Sequence, residues 1–269
     1  MPRFPKLVLM LVLLSIVLVC LVVYYMTMQT SAKGTDLAMA FAPSPSSDFV
    51  LETAAPQPTV SATPSPTPTP NDGRTTIADG FYYKPLDEEI KAYITGSSYP
   101  TEPQDDISYE DLNYVRVLHY NFEGDICIGE LIVAADLADE VTQIFYQLFL
   151  AEYPITSIIL IDEFGGSSGD NASMSANNTS AFNYRLVAGT NRLSNHALGR
   201  AIDINPMMNP YVQGSHVSPE NGEAFVDRSN MSLGMIDEDD LCYQLFTQYG
   251  WEWGGAWTSC KDYQHFEKE

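Results

Sequence analysis

Two histidines and two acids stand out as residues that could do chemistry together. Ser194-Asn195-His196-Ala197-Leu198-Gly199-Arg200-Ala201-Ile202-Asp203 is answered further along by Asp262-Tyr263-Gln264-His265. Neutral imidazole is a favoured zinc ligand, and two imidazoles with one carboxylate leave a fourth position open for water. His196, Asp203 and His265 supply that set. Asp262, three residues before His265, could take the proton from the attacking water. These four make the minimal kit of a zinc hydrolase, and the chain has only four histidines in all.

Each residue also has a plainer reading. His196 could be a satisfied core or surface histidine, and Asp203 a helix cap or an ion-pair partner. Asp203 stands between Ile202 and Ile204 in a run that reads as buried, where a carboxylate is costly unless paired or ligating. Asp262 could merely orient a ligating histidine. Ser194 could hydrogen-bond a substrate or only cap the turn after it. Among the three tryptophans core packing is the simplest role, but Trp257 could wall a substrate cleft. His119 and His216 fit no motif and read as surface residues.

The elements that must position these residues lie in one region of ordinary domain size, residues 81–269. Residues 114–122 and 126–133 are β-rich and flank Glu123-Gly124-Asp125, which predicts a hairpin. Apolar residues from Leu137 to Phe149 recur at helical spacing, predicting a helix over 136–151 with Asp136 as its N-cap. Residues 155–161 read as a buried strand, 165–179 as a loop and 182–187 as a short strand. Residues 201–204 read as a strand, 237–249 as a second helix, and 251–253 and 263–266 as final strands. Strands and hairpins with two helices predict an α+β domain on a mostly antiparallel sheet.

Upstream the composition changes twice. Residues 7–27 are almost wholly apolar, long enough to cross a bilayer as a helix, and follow Arg3 and Lys6. The positive-inside rule then leaves residues 1–6 in the cytoplasm and everything after the span outside, on an uncleaved anchor. Residues 28–80 read as a linker whose heart, 56–70, alternates Pro with Thr and Ser and favours extended polyproline II. Fully extended, it spans on the order of 100 Å or more.

The formal charge is −22, from 13 basic and 35 acidic residues. That surface argues against nucleic acid and anionic lipid as partners. Of the four cysteines, Cys20 falls in the apolar run. Cys127, Cys242 and Cys260 permit at most one internal bridge, and sequence alone leaves Cys242–Cys260 open. No Cys-x-x-Cys pair exists, which excludes a cysteine-rich zinc site.

The blocks Ser194-x-His196, Gly199, Ala201-x-Asp203 and Asp262-x-x-His265 resemble the signature of the zinc-dependent peptidoglycan peptidases. That family includes the D-alanyl-D-alanine carboxypeptidases, the vancomycin-resistance D,D-dipeptidases and the phage L-alanyl-D-glutamate endopeptidases. The stretch from Ser173 to Arg185, Asn205-Pro206, Asn209-Pro210-Tyr211-Val212 and Trp253-Gly254-Gly255 also resemble blocks of a bacterial branch. The resemblance covers roughly residues 134–266. It implies a zinc D-Ala-D-Ala peptidase-like (hedgehog-like) fold, with zinc on His196, Asp203 and His265 and with Asp262 as the base. It also implies that Arg185 stabilises the substrate carboxylate or the developing oxyanion. Many carboxypeptidase members carry Glu at the position of Asp262, and the shorter acid resembles the endopeptidase-like branch.

Taken together, these readings predict a monomeric, membrane-anchored extracellular zinc peptidase acting on peptidoglycan stem peptides. The rival is a non-catalytic wall-binding or signalling module with a structural zinc site, which would need no base. A calcium-binding adhesion domain would suit the acidity, but no D-x-D-x-D-G loop is present.

Overall fold

The two nine-residue strands β3 (Leu112–Tyr120) and β4 (Ile126–Ala134) form the expected hairpin, in antiparallel register from Leu112 opposite Ala134 to Tyr120 opposite Ile126. Its turn closes because the Asn121 side chain accepts from the amides of Glu123 and Asp125, and Gly124 takes the left-handed backbone, φ 84°. The computed structural model describes residues 72–269. The expected cytoplasmic tail, the apolar span 7–27, Cys20 and the Pro/Thr-rich heart of the linker lie outside the described residues. Among the described residues, no helix is long and apolar enough to cross a membrane.

Two further strands extend the hairpin sheet. β1 (Thr75–Ala78) pairs with β2 (Phe81–Pro85), and β2 with β3, giving the antiparallel order β1-β2-β3-β4. Strand β1 falls within the stretch expected to be linker, so the folded chain begins before residue 81. Thr75 and Thr76 are β-branched, and they find in β2 a partner whose backbone groups they satisfy.

Strand alternation sends Val115, Val117, Leu131 and Val133 to one face, onto helix α2. The short helix α1 (Glu88–Ile94) is capped by Asp87, whose side chain accepts from the Ile90 amide at 3.0 Å. Helix α2 (Ala138–Leu150) buries Val141, Ile144, Phe145 and Leu148. It starts after Leu137 with no side-chain cap, because Asp136 instead binds the Arg200 guanidinium at 3.0 and 3.1 Å. The same alternation corrects the reading of His119. Two residues beyond Val117, it is buried rather than on the surface, and burial lowers its pKa. His216 is exposed, as expected. The other face of the sheet packs Leu112, Tyr114 and Ile132 against Ile94, Tyr99 and Phe182.

The middle of the chain departs most from expectation. Of residues 155–161 only β5 (Ser157–Ile158) is a strand, paired in parallel with β6 (Asn178–Thr179). The expected loop 165–179 contains a 3-10 turn and helix α3 (Asp170–Ser175). The strand expected over 182–187 is absent, because its amides go to separate elements: Phe182 to the Ile132 carbonyl and Tyr184 to that of Ser98.

Short strands build the remainder. β10 (Glu252–Trp253), β12 (His265–Glu267) and β7 (Ala201–Asp203) form an antiparallel sheet with β12 in the centre. β11 (Lys261–Asp262), β8 (Tyr211–Gln213) and β9 (His216–Ser218) form another. Helix α4 (Leu241–Gln248) is capped by Asp240, which accepts from the Cys242 amide at 2.8 Å. Phe246 on α4 stacks on Phe266 with centroids 4.4 Å apart, holding β12 to the core. Cys127, Cys242 and Cys260 are all free thiols, and Cys242 is fully buried. The class is therefore α+β, with antiparallel sheets and few helices.

Candidate metal centre

The turn that carries His196 is fixed at both ends. Ser194 caps a 3-10 turn (Asn195–Leu198), its hydroxyl accepting from the His196 amide at 3.3 Å. Gly199 closes the turn with φ 66°, and a Cβ there would lie 2.5 Å from the Ala134 nitrogen. Only glycine fits both the backbone and the space. The chain then enters β7, and Asp203 stands directly opposite His265 of β12. Cross-strand partners on one face of an antiparallel pair are neighbours, which is how residues far apart in sequence meet.

His196, Asp203 and His265 are all buried, and each offers one donor atom within 4.8 Å of the others. His265 Nδ1 lies 3.0 Å from Asp203 Oδ1, His196 Nε2 lies 3.3 Å from Asp203 Oδ2, and the two ring nitrogens are 3.2 Å apart. The remaining nitrogens face outward. His196 Nδ1 is 2.6 Å from the Ala181 carbonyl, and His265 Nε2 is 3.1 Å from Glu267 Oε2. A carbonyl and a carboxylate only accept, so the outer nitrogens donate to them, while the inner nitrogens face Asp203, where a bound metal would take their lone pairs in place of any proton. Two imidazole nitrogens and a carboxylate, oriented by outer acceptors, are a donor set that suits zinc.

The charges are strongly coupled. Burial would raise the Asp203 pKa, but the two imidazoles outweigh it and hold the carboxyl far below the usual range. Burial would lower that of His265, but hydrogen bonds to Asp203 and Glu267 prevail and push it up to about 10. Glu267 is lowered, chiefly by its bond from His265.

Asp262 ends β11, opposite Tyr211, and Gln264 Nε2 donates to its Oδ1 at 3.2 Å. Burial pushes its pKa up to about 6, and the Asp203 charge adds to the rise against the pull of His265. Gly254 shows how close Asp262 and His265 come. A Cβ on Gly254 would stand 2.8 Å from the Asp262 Cβ and 3.3 Å from the His265 Cβ. Trp257 is half-buried with its ring centroid 5.5 Å from that of His265.

Arg185 is placed differently. Its guanidinium pairs with Asp170 at 3.3 Å rather than with any of the three donors. Asp170 also accepts from the Asn183 side chain, and the Asn183 backbone N–H donates to the His196 carbonyl, so Arg185 is tied to the centre only indirectly. The structure thus gathers His196, Asp203 and His265, brings Asp262 and Trp257 beside His265, uses Ser194 as a cap, and leaves Arg185 in an ion pair. Sequence reasoning passed over Glu267 and gave no role to Asn195, Gly254 or the Ala181 carbonyl, although all three lie in the blocks it singled out. Glu267 could have been found, since it lies two residues after His265 on a strand and therefore on the same face.

A family model described as D-alanyl-D-alanine carboxypeptidase matches residues 188–268. The match spans Ser194, His196, Asp203, Trp257, Asp262 and His265, begins after Arg185, and supports the zinc peptidase family that the sequence resembles. No curated protein and no solved structure matches the chain.

Proposed function

We propose that this chain, which carries the zinc peptidase family's pattern over residues 188–268, is a membrane-anchored extracellular metallopeptidase. Its substrates would be the amide bonds of peptidoglycan stem peptides, cut in the D-Ala-D-Ala carboxypeptidase or the L-Ala-D-Glu endopeptidase manner. The fold would be that of the zinc D-Ala-D-Ala (hedgehog-like) peptidases. The observation that carries the reading is the inward-facing donor set. His196 and His265 are held at their outer nitrogens by the Ala181 carbonyl and Glu267, and Asp203 lies between their inner nitrogens.

Zinc bound there would supply Lewis acidity at the scissile carbonyl and a more acidic water. The chain's own residues do the rest. Asp262 takes the proton of the attacking water and returns it to the leaving amine. A carboxyl whose pKa is pushed up to about 6 is suited to both halves of that exchange near neutral pH. Trp257 walls the cleft beside His265. Arg185 would meet the substrate carboxylate, retaining Asp170 as its counter-charge. Residues 7–27 would hold the enzyme at the membrane, and the Pro/Thr-rich linker would carry the domain into the wall.

Digestion of purified peptidoglycan by the zinc-loaded full-length protein, with products read by mass spectrometry, tests this directly. Release of a terminal D-Ala that Asp262→Ala abolishes identifies a carboxypeptidase. Fragments beginning at D-Glu identify an endopeptidase. No product, despite stoichiometric zinc, would refute the peptidase reading and favour a wall-binding module. Shortening the linker tests the tether: wall cleavage in cells should fall while the rate in solution stays the same.

A further inference from the structure

Glu267 has no lysine or arginine within ion-pairing distance among the described residues, although its side chain is only 23% exposed. It stands in an already acidic neighbourhood with Asp203 and Asp262. What it touches is specific. Its Oε2 accepts from His265 Nε2 at 3.1 Å and also from Asn195 Nδ2 at 2.6 Å. Asn195 immediately precedes His196. One carboxylate oxygen therefore joins the strand bearing His265 to the turn bearing His196.

We infer that Glu267 is a positioning residue that fixes His265 to present Nδ1 to the metal and, through Asn195, locks the His196 turn in register with it. The inference rests on the metal-centre reading above and deepens it. An imidazole can offer either nitrogen, and rotating the His265 ring would exchange them. Only an acceptor beyond the ring makes one orientation stable, since Nε2–H then has a partner and Nδ1 keeps its lone pair. The carboxylate also makes the imidazole a stronger donor. Three carboxylates about two imidazoles leave an excess of negative charge that a divalent cation balances.

Zinc affinity of the full-length protein, by competition with a chromogenic chelator, is the first readout. The imidazole nitrogen chemical shifts are the second. Glu267→Ala should weaken zinc binding about 10–100-fold and give His265 a mixture of ring orientations or tautomers. Glu267→Gln keeps an acceptor for Nε2–H, so it should retain the single Nδ1-bound form while losing part of the affinity. Glu252→Gln removes the same charge from an exposed site directly opposite Glu267 on β10 and should change neither readout. Wild-type affinity and an unchanged His265 signature in Glu267→Ala would overturn the inference. Equal losses in Glu252→Gln and Glu267→Gln would also overturn it, since bulk charge alone would then be responsible. If the wild-type protein binds no zinc, the metal-centre reading itself falls and takes this inference with it. If His265→Ala loses zinc while Glu267→Ala does not, only the inference falls.

Discussion

Gly254→Ala perturbs the centre without replacing any candidate ligand, and it crowds Asp262 more than His265. An added Cβ would lie 2.7 Å from the Asp262 carbonyl oxygen and 2.8 Å from the Asp262 Cβ. Ordinary contact between carbon atoms is about 3.5–4.0 Å, so Asp262 must retreat by roughly 0.7 Å or more. The atoms in the way are backbone and Cβ, and no flexible side-chain end can swing aside. Overpacking of this kind costs about 1–3 kcal/mol. At ~2–4 °C per kcal/mol for a domain of this size, the unfolding temperature should fall by ~2–12 °C. Catalysis should suffer more, because misplacing a reacting group by about 1 Å can cost on the order of 100-fold. The assays are thermal unfolding and stem-peptide hydrolysis, both with zinc supplied, beside Gly124→Ala as a control. Gly124 has a left-handed backbone but open space around its Cβ, so that variant should lose about 1–2 kcal/mol and no activity. Wild-type activity in Gly254→Ala would refute the claim that this glycine sets the position of Asp262.

Three other outcomes are expected. Asp262→Ala should reduce hydrolysis by about 10²–10⁴-fold while keeping one zinc per chain by metal analysis; loss of zinc would instead make Asp262 a ligand. In metal-stripped protein, His265 has a folded pKa raised from 6.5 to about 10. Its contribution to stability is then fully present below pH 6.5 and is lost as the pH rises through about 10. The gap in unfolding temperature between wild type and His265→Ala should therefore narrow across that range, and a constant gap would count against the ion pairing. Arg228 donates to the Met208 carbonyl and to Asn209 Oδ1, both at 3.1 Å, and its guanidinium lies 4.3 Å from the Tyr263 ring centroid. Arg228→Met should lower stability by at least about 1.5–3 kcal/mol in urea unfolding, with an unchanged m-value.

The donor set was legible because histidine is rare here, with four in the chain, and a carboxylate in a buried run has a costly alternative. A carboxylate between two isoleucines needs a partner, and His265 is that partner across the strand pair. The β3–β4 hairpin was legible from alternation around a Gly-containing turn. Helix α3 was not, because Asp170–Ser175 is rich in residues with poor helix propensity. It is held instead by side-chain bonds such as Asn178 Nδ2 to Ser173 Oγ at 3.0 Å, which join segments whose proximity only the fold decides. Strand β1 was hidden for a similar reason: a four-residue stretch following a Pro/Thr-rich run has no local signal, and its order comes from pairing with β2. Glu267 reads in sequence as one more solubilising acid. Strand alternation could have put it on the face of His265, but its bond from Asn195 depends on where the fold brings that turn.

Strand β12 is the centre of its sheet and the source of His265, and its Phe266 stacks on the core through Phe246. A cation gripping His196, Asp203 and His265 would thus also clasp β7 to β12. Its binding would add RT ln(1 + [L]/Kd) to the stability of the native chain, about 2.7 kcal/mol at a free concentration one hundred times Kd. In surroundings poor in metal the protein would become easier prey for proteases at the same moment that it fell idle. Scarcity would then govern how many copies survive as well as how many are charged, and an undercharged copy would be cleared instead of lingering.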